Sequence, residues 1–423
     1  MSLRIDFLDP TTPTWPAELA SLWADLGAPH NPDLLPDYFV QTTFVRMGGR
    51  ALRIADDDGL YGVALLFPRD VEGGRRVYTL RVSDLESGAE VRYGQRIRRY
   101  DNSVCAERVG HMLRPYAIIP YRPSDARTYA ATHRQFDVFD IGAPGAEELP
   151  SIRALRAAIW GTAPGVHQYP SDLYSAEFGP GTALVARTVG TLAGFLLGFY
   201  RFAGLDELER VGVDTALGIE SQMMGVAHNL RRAGLAAALK RAQATAALDR
   251  GIGVIHWTAD PLQFPNATLN FHKLRAVAGE FYPAFYPFQN ELNRVHASRF
   301  GITWLPTSAW GSVGRADRPR EDRHLARFPG CVILNHGSQI LTDSRGAPHI
   351  AVEIPVDWTA LQRDDLAAAT AWRAATDTIL AEAVGFASGR YLIADVAMAG
   401  ERHYLVGHAF TPEMLVPHGY GHG

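Results

Sequence analysis

Apolar positions fall into a repeated pattern along the chain. Ala51 to Pro68 (ALRIADDDGLYGVALLFP) and Ala183 to Tyr200 (ALVARTVGTLAGFLLGFY) each read as an apolar strand, a short turn with Gly or Asp, and a second apolar strand. That is the pattern of a β-hairpin. At a constant offset of 132 the two segments share six of eighteen residues. An amphipathic helical stretch precedes each, Pro16 to Leu26 and Leu149 to Trp160, and a further strand follows each, around Arg76 to Val82 and Glu220 to Val226. The chain thus reads as a duplication. The second copy continues into a turn and a helix from Ala236 to Asp249, rich in Ala and Leu. The first has no equivalent after Val82, only an Arg-rich stretch from Val91 to Tyr100, and reads as degenerate.

A third region begins beyond the charged, Pro-containing stretch Gly314 to Arg327, which reads as a linker. Its pattern predicts strands at Cys331 to Asn335, His349 to Ile354, Tyr391 to Met398 and His403 to Val406. A single helix is expected from Thr359 to Val384, and the tail from Pro417 to Gly423 is expected to be disordered. The predicted fold class is α/β (α+β): tandem mixed sheets flanked by helices, the first copy degenerate, plus a C-terminal α+β region. The expected boundaries are 1–145, 146–312 and 313–423.

Composition narrows the functional classes. A chain of 423 residues with 47% hydrophobic and 20% charged residues is long enough to bury a sizeable core. The net charge of −4 and the lack of like-charge runs give no pull towards nucleic acid. Lysine occurs only at Lys240 and Lys273, a bias towards arginine that reads as genome composition. Cys105 and Cys331 sit in no metal-type spacing, so neither a metal site nor a disulfide scaffold is expected. The start MSLRIDFLDP lacks a signal-peptide pattern, and the most apolar stretch, Thr191 to Tyr200, is too short to cross a bilayer. A cytoplasmic protein without a membrane partner is expected.

The most informative segment is Glu220 to Lys240, ESQMMGVAHNLRRAGLAAALK, a strand, a turn and a helix start. Amides at a helix start have no intrahelical partner and carry partial positive charge. Small residues at Ala233, Gly234 and Ala236 would let a pyrophosphate approach them. The same sequence would also serve a plain strand-to-helix connection.

Arg231, Gly234 and Ala236 reproduce the Arg/Gln-x-x-Gly-x-Gly/Ala motif, and the strand Met224-Gly225-Val226 precedes it at the expected spacing. This resembles the GNAT superfamily of acyl-CoA N-acyltransferases, with Arg232 where a glycine is usual. Val254 to Val277 is similar to a bacterial branch of predicted GNAT acetyltransferases with a W-T-x-D-P-L, N-A, N-x-H-K-L signature. Here these are Trp257, Thr258, Asp260, Pro261, Leu262, Asn266, Ala267, Asn270, His272, Lys273 and Leu274. Val352 to Trp358 (VEIPVDW) matches the same branch, so the resemblance covers about Leu149 to Val406.

The resemblance implies acetyl-CoA or another acyl-CoA as cosubstrate, no metal, and direct transfer to a small amine, with an amino-acid acceptor and an acetyl or succinyl donor by analogy. It implies pantetheine pairing at Met224, Gly225 and Val226, and pyrophosphate held by Arg231, Arg232, Ala233, Gly234, Leu235 and Ala236. Asn266, Asn270 and Lys273 are further cofactor candidates, although Asn266 also suits a helix N-cap. Glu220 is the candidate general base. The tyrosine that many members use as general acid is Phe271 here, which leaves His272, Tyr282 and Tyr286 as candidate donors. Asp260 either orients the amine or sets the turn, while His256 and Trp257 read as sheet packing. A non-catalytic acyl-CoA sensor and a protein N-acyltransferase are the competing readings. Monomer and homodimer both stay open.

Overall fold

The computed structural model describes residues 4–416 apart from 11, 27–35, 38, 58, 85–101, 115, 121–130, 137, 161–168, 171–182, 189–190, 232, 286–292, 312–322 and 343–345. The Arg-rich stretch Val91 to Tyr100, Arg232, Tyr286, most of the expected linker and the tail therefore lie outside the described residues. The chain divides into two compact units, Met1–Gly204 with Ala216–Arg231, and Leu205–Thr215 with Arg232–Gly423.

Both hairpin copies belong to the first unit. Its first sheet is built from β1 (Arg4–Leu8), β2 (Arg50–Asp56), β3 (Gly59–Glu72), β4 (Arg75–Asp84) and β5 (Ala117–Pro120), in that spatial order. Helices α1 (Trp15–Asp25), α2 (Phe44–Arg46) and α3 (Asn102–Met112) interrupt the strands. The second group comprises β6 (Gln135–Phe136), β7 (Phe139–Gly142), β8 (Ala183–Thr188), β9 (Thr191–Arg201) and β10 (Gly218–Val226), each antiparallel to the next. Helix α4 (Leu149–Trp160) precedes β8. In α1, Pro16 occupies the first turn, where its missing N–H costs nothing, and Trp15, Leu19, Leu22 and Trp23 turn inward at helical spacing. They join Phe39, Phe44, Phe67, Phe195 and Phe199 in one buried cluster.

The first copy corrects one expectation. After Val82 the chain does regain a helix, α3, and then β5, which runs parallel to β4 with Val77 opposite Ala117. Within the sequence of α3, NSVCAERVGHM, Ala106 and Val109 are the buried hydrophobic positions among those described. The sequence has few large apolar residues, so it carries little periodicity to read.

The second unit holds α5 (Asp206–Arg210), α6 (Leu235–Leu248), β11 (Ile255–Ala259), α7 (Phe264–Ala267) and a π-helical turn, Thr268–Lys273. These are followed by β12 (Val277–Tyr282), β13 (Arg299–Trp304), β14 (Cys331–Ile333), the short hairpin β15 (Asn335–His336) and β16 (Gln339–Ile340), and β17 (His349–Ile354). Helices α8 (Trp358–Asp364) and α9 (Leu366–Ala383) lead to β18 (Tyr391–Ala399) and β19 (Arg402–Ala409). The strand order is β11-β13-β12-β18-β19-β17-β14, antiparallel except for the parallel pair β14 and β17.

The single helix expected from Thr359 to Val384 is two. Asp365 takes a non-helical conformation (φ −144°, ψ 89°) and its carboxylate accepts the Ala368 amide at 2.9 Å, so it caps α9. Asp357 caps α8 in the same way through Ala360. An Asp cap contributes about 1 kcal/mol, enough to set a new helix start inside an apolar pattern. Among the described residues no helix is long and apolar enough to cross a membrane.

Candidate functional site

The strand, turn and helix expected from Glu220 to Lys240 are β10, a 3₁₀ turn at His228–Leu230, and α6. On β10 the pairing with β9 shifts between Ser221 and Met223, which leaves Gln222 as the extra residue of a β-bulge. Gln222 turns its amide to the Tyr169 hydroxyl at 3.1 Å. Beyond the bulge, Met224 and Val226 are half-buried and Gly225 is buried. A Cβ at Gly225 would sit 2.6 Å from the Phe195 ring and 2.7 Å from Ile159, so the strand here admits only glycine without repacking.

On the helix side, Gly234 is the N-cap of α6 in the left-handed conformation, φ 86° and ψ −8°. A Cβ there would meet nothing within 4 Å; glycine is favoured by the backbone angle, not by crowding. The first backbone bond closing α6 runs from the Ala238 amide to the Gly234 carbonyl at 3.1 Å. The amides of Leu235, Ala236 and Ala237 precede it and have no partner within the helix. Arg231 and Ala233 are exposed and Ala236 is half-buried. The fourteen residues of α6 supply a macrodipole whose positive end lies at this turn.

Glu220 is 1% exposed and is paired with two guanidiniums of the first unit. Arg46 donates directly to Glu220 Oε1, and Arg201 Nη1 lies 3.6 Å from Oε2. Nothing local in the sequence signals this, because Arg46 comes 174 residues earlier.

In the second unit, His272 is 2% exposed, with Nδ1 3.4 Å from Asp395 Oδ1. Asp395 sits just past a register shift in β18 and also accepts the Val396 amide at 2.9 Å. Phe271 is buried edge-on to Phe300. Asn270 is buried, Lys273 half-buried and Asn266 exposed. The N-cap expectation for Asn266 is corrected: α7 begins at Phe264, behind Gln263 and with Pro265 in its first turn, so Asn266 lies inside it.

Asp260 sets the turn. Its Oδ1 accepts the Leu262 amide at 2.9 Å, and both carboxylate oxygens accept from Arg373 Nη2, at 2.9 and 2.8 Å. Arg373 is 3% exposed, stacks over Trp358 at 4.9 Å and approaches Asp377 at 3.7 Å. His256 is buried beside Glu280, Nε2 to Oε2 at 3.3 Å. Trp257 carries the Lys240 ammonium 3.6 Å from its ring centroid. Lys240 is spaced with Gln243, Ala244 and Ala247 on the buried face of α6, a placement that helical periodicity alone could have found.

Asp377 makes the network sensitive to pH. Burial holds its carboxyl above the ordinary value, against the lowering effects of the Ser298 hydroxyl, which donates at 2.6 Å, and of Arg373. A raised carboxyl binds its proton more tightly in the folded chain than in the unfolded one. Its contribution is therefore most favourable below the unfolded value near 3.8 and is lost as pH rises through the folded value. Asp377→Asn should flatten the fall in urea midpoint from pH 4 upward; an unchanged slope would remove Asp377 as its source.

Among the described residues no group of three or more His, Cys, Asp or Glu side chains could hold a metal ion. No family model matches the sequence, and no curated protein sequence matches it significantly. Solved structures that align with part of the chain include a putative acetyltransferase from Salmonella typhimurium with its cofactor acetyl-CoA. It is 15% identical over 43% of this chain and 97% of its own, with a TM-score of 0.31. Diaminobutyrate acetyltransferase from Paenibacillus lautus, in complex with L-2,4-diaminobutyric acid and coenzyme A, is 17% identical over 38% and 92%, with a TM-score of 0.27. The ribosomal-protein-S18-alanine N-acetyltransferase from Escherichia coli is 12% identical over 39% and 92%, with a TM-score of 0.29.

Proposed function

We propose that this chain transfers an acyl group, acetyl or succinyl, from coenzyme A to a small amine or amino acid. The observation that carries the reading is the turn before α6. Arg231, Gly234 and Ala236 occupy the motif positions, and Gly234 takes the left-handed angle that opens a 14-residue helix. Amides there suit a pyrophosphate, and Arg231 of the same motif is exposed. Met224 and Val226, past the bulge of β10, are the proposed partners of the pantetheine arm.

In this reading the amine loses a proton, attacks the thioester carbonyl, and expels a thiolate that is then protonated. Glu220 is the proposed base. Two guanidiniums pair with it and only 1% of it is exposed, so in this reading the proton reaches it through a water relay. His272 is the proposed acid, with Asp395 fixing its Nδ1 side; a general acid contributes roughly 10²–10⁴-fold.

A second reading, a non-catalytic acyl-CoA sensor, is favoured by one observation: Phe271, which has no proton to give, stands where many relatives of the resembling family carry tyrosine. The assay that separates the two measures thiol release from acetyl-CoA and succinyl-CoA against a panel of amines and amino acids. Transferase activity predicts turnover with at least one acceptor, lowered about 10²-fold or more by His272→Ala. Tight coenzyme A binding with no thiol release by any acceptor supports the sensor instead.

A further inference from the structure

The first unit carries a second cluster with the makings of a ligand site, and it shares no residue with the turn before α6. Arg50 opens β2 and Arg76 lies in β4, both half-buried. Their guanidinium carbons each lie 5.9 Å from the centroid of the Tyr116 ring, so one aromatic ring sits close to both cations. Arg50 also lies 6.0 Å from the Phe7 ring, and Arg76 lies 5.6 Å from the Phe202 ring. Tyr78 stands edge-on to Tyr116 at 5.6 Å and to Phe202 at 5.0 Å.

Charge makes the arrangement unusual. Among the described residues no carboxylate pairs with Arg50 or Arg76, whereas Arg46, Arg187, Arg201 and Arg373 of the same chain all have acidic partners. The buried Tyr78 phenol reports the same field. Burial raises its pKa, and the Arg50 charge and hydrogen bond work against that. Its hydroxyl donates to the Gly48 carbonyl at 3.4 Å. Gly48 itself has φ 81°, and a Cβ there would sit 2.5 Å from the Ala203 amide nitrogen, so the backbone under the cluster is fixed. Phe7, 43% exposed, and the half-buried Tyr116 keep the cluster open to solvent.

Two guanidiniums with no carboxylate partner among the described residues suit an anion, and the guanidinium fork matches phosphate oxygens two at a time. The exposed Phe7 ring and the half-buried Tyr116 ring beside them suit a planar ring, which stacks on aromatic and guanidinium planes alike. We infer that Arg50, Arg76, Tyr116 and Phe7 form a second binding site, for a phosphate ester that carries a planar ring. The inference stands apart from the acyl-transfer reading, since it uses none of the residues of that site.

The test titrates the full-length protein by calorimetry with adenosine 5′-phosphate, inorganic phosphate and adenosine. Adenosine 5′-phosphate should bind at least tenfold more tightly than either part alone. Arg50→Met and Arg76→Met should each weaken it at least tenfold, and Tyr116→Leu should bring it down to the affinity of inorganic phosphate. Arg50→Lys and Arg76→Lys, which keep the charge and lose the fork, should fall between and guard against loss of fold. No binding of adenosine 5′-phosphate would overturn the inference. So would binding that survives both methionine substitutions but is lost in Gly234→Trp, because that places the ligand at the turn before α6.

Discussion

Glu220→Gln is expected to destabilise the first unit by about 3–5 kcal/mol, the range for removing one partner from a buried ion pair. The carboxylate is 1% exposed, and its guanidinium partners Arg46 and Arg201 are 22% and 10% exposed. A neutral amide would remove the carboxylate charge that both guanidiniums face. Attraction within such a group offsets desolvation only while the set is complete, so the loss includes the desolvation of the guanidiniums as well as the missing bond. Truncating Arg46 as well should recover part of the loss. Urea unfolding of Glu220→Gln, Arg46→Met and the double variant gives the coupling energy of the pair. Additive effects, or a loss under about 1 kcal/mol for Glu220→Gln, would show that the pair contributes little. The result also bears on chemistry: a Glu220→Gln protein that folds yet turns over normally cannot use Glu220 as its base.

Local pattern carried much of the fold. Helix α4 and strand β17 run over the residues that periodicity and apolar content indicate, and both hairpins lie where the repeat places them. The strand, turn and helix from Glu220 to Lys240 were legible for the same reason, since every signal there is short-range. Legibility failed in two ways. A single side chain can override a period, as Asp365 does when it caps α9 inside a continuous apolar stretch. A stretch with few large apolar residues, such as the NSVCAERVGHM of α3, has little period to display.

The partners of the candidate site residues were illegible for a different reason. Glu220 and Arg46 are 174 residues apart, Asp260 and Arg373 are 113, and His272 and Asp395 are 123. No local rule connects positions that only the folded chain brings together. The Arg50 and Arg76 cluster is illegible for the same reason, because Phe7, Arg50, Arg76 and Tyr116 come from three strands and a loop.

Gly234→Trp should weaken coenzyme A binding by about 100-fold or more while the protein stays folded. Backbone strain is the smaller effect: a side chain held at φ 86° costs about 1–2 kcal/mol, and the space around a Cβ there is open. The larger effect is on the ligand. An indole over the first turn of α6 would cover the amides of Leu235, Ala236 and Ala237 that precede the Ala238 bond. Hydrogen bonds to charged groups contribute about 1.5–3 kcal/mol each, so losing two of them accounts for about 100-fold or more. Gly234→Ala serves as the control, with the same backbone strain and no indole. The deciding measurement is calorimetric titration of coenzyme A into the wild type, Gly234→Ala and Gly234→Trp, with each variant's fold checked by circular dichroism. Binding at this turn predicts tight association for the wild type, a modest loss for alanine and near-abolition for tryptophan. Equal affinity across the three would contradict it.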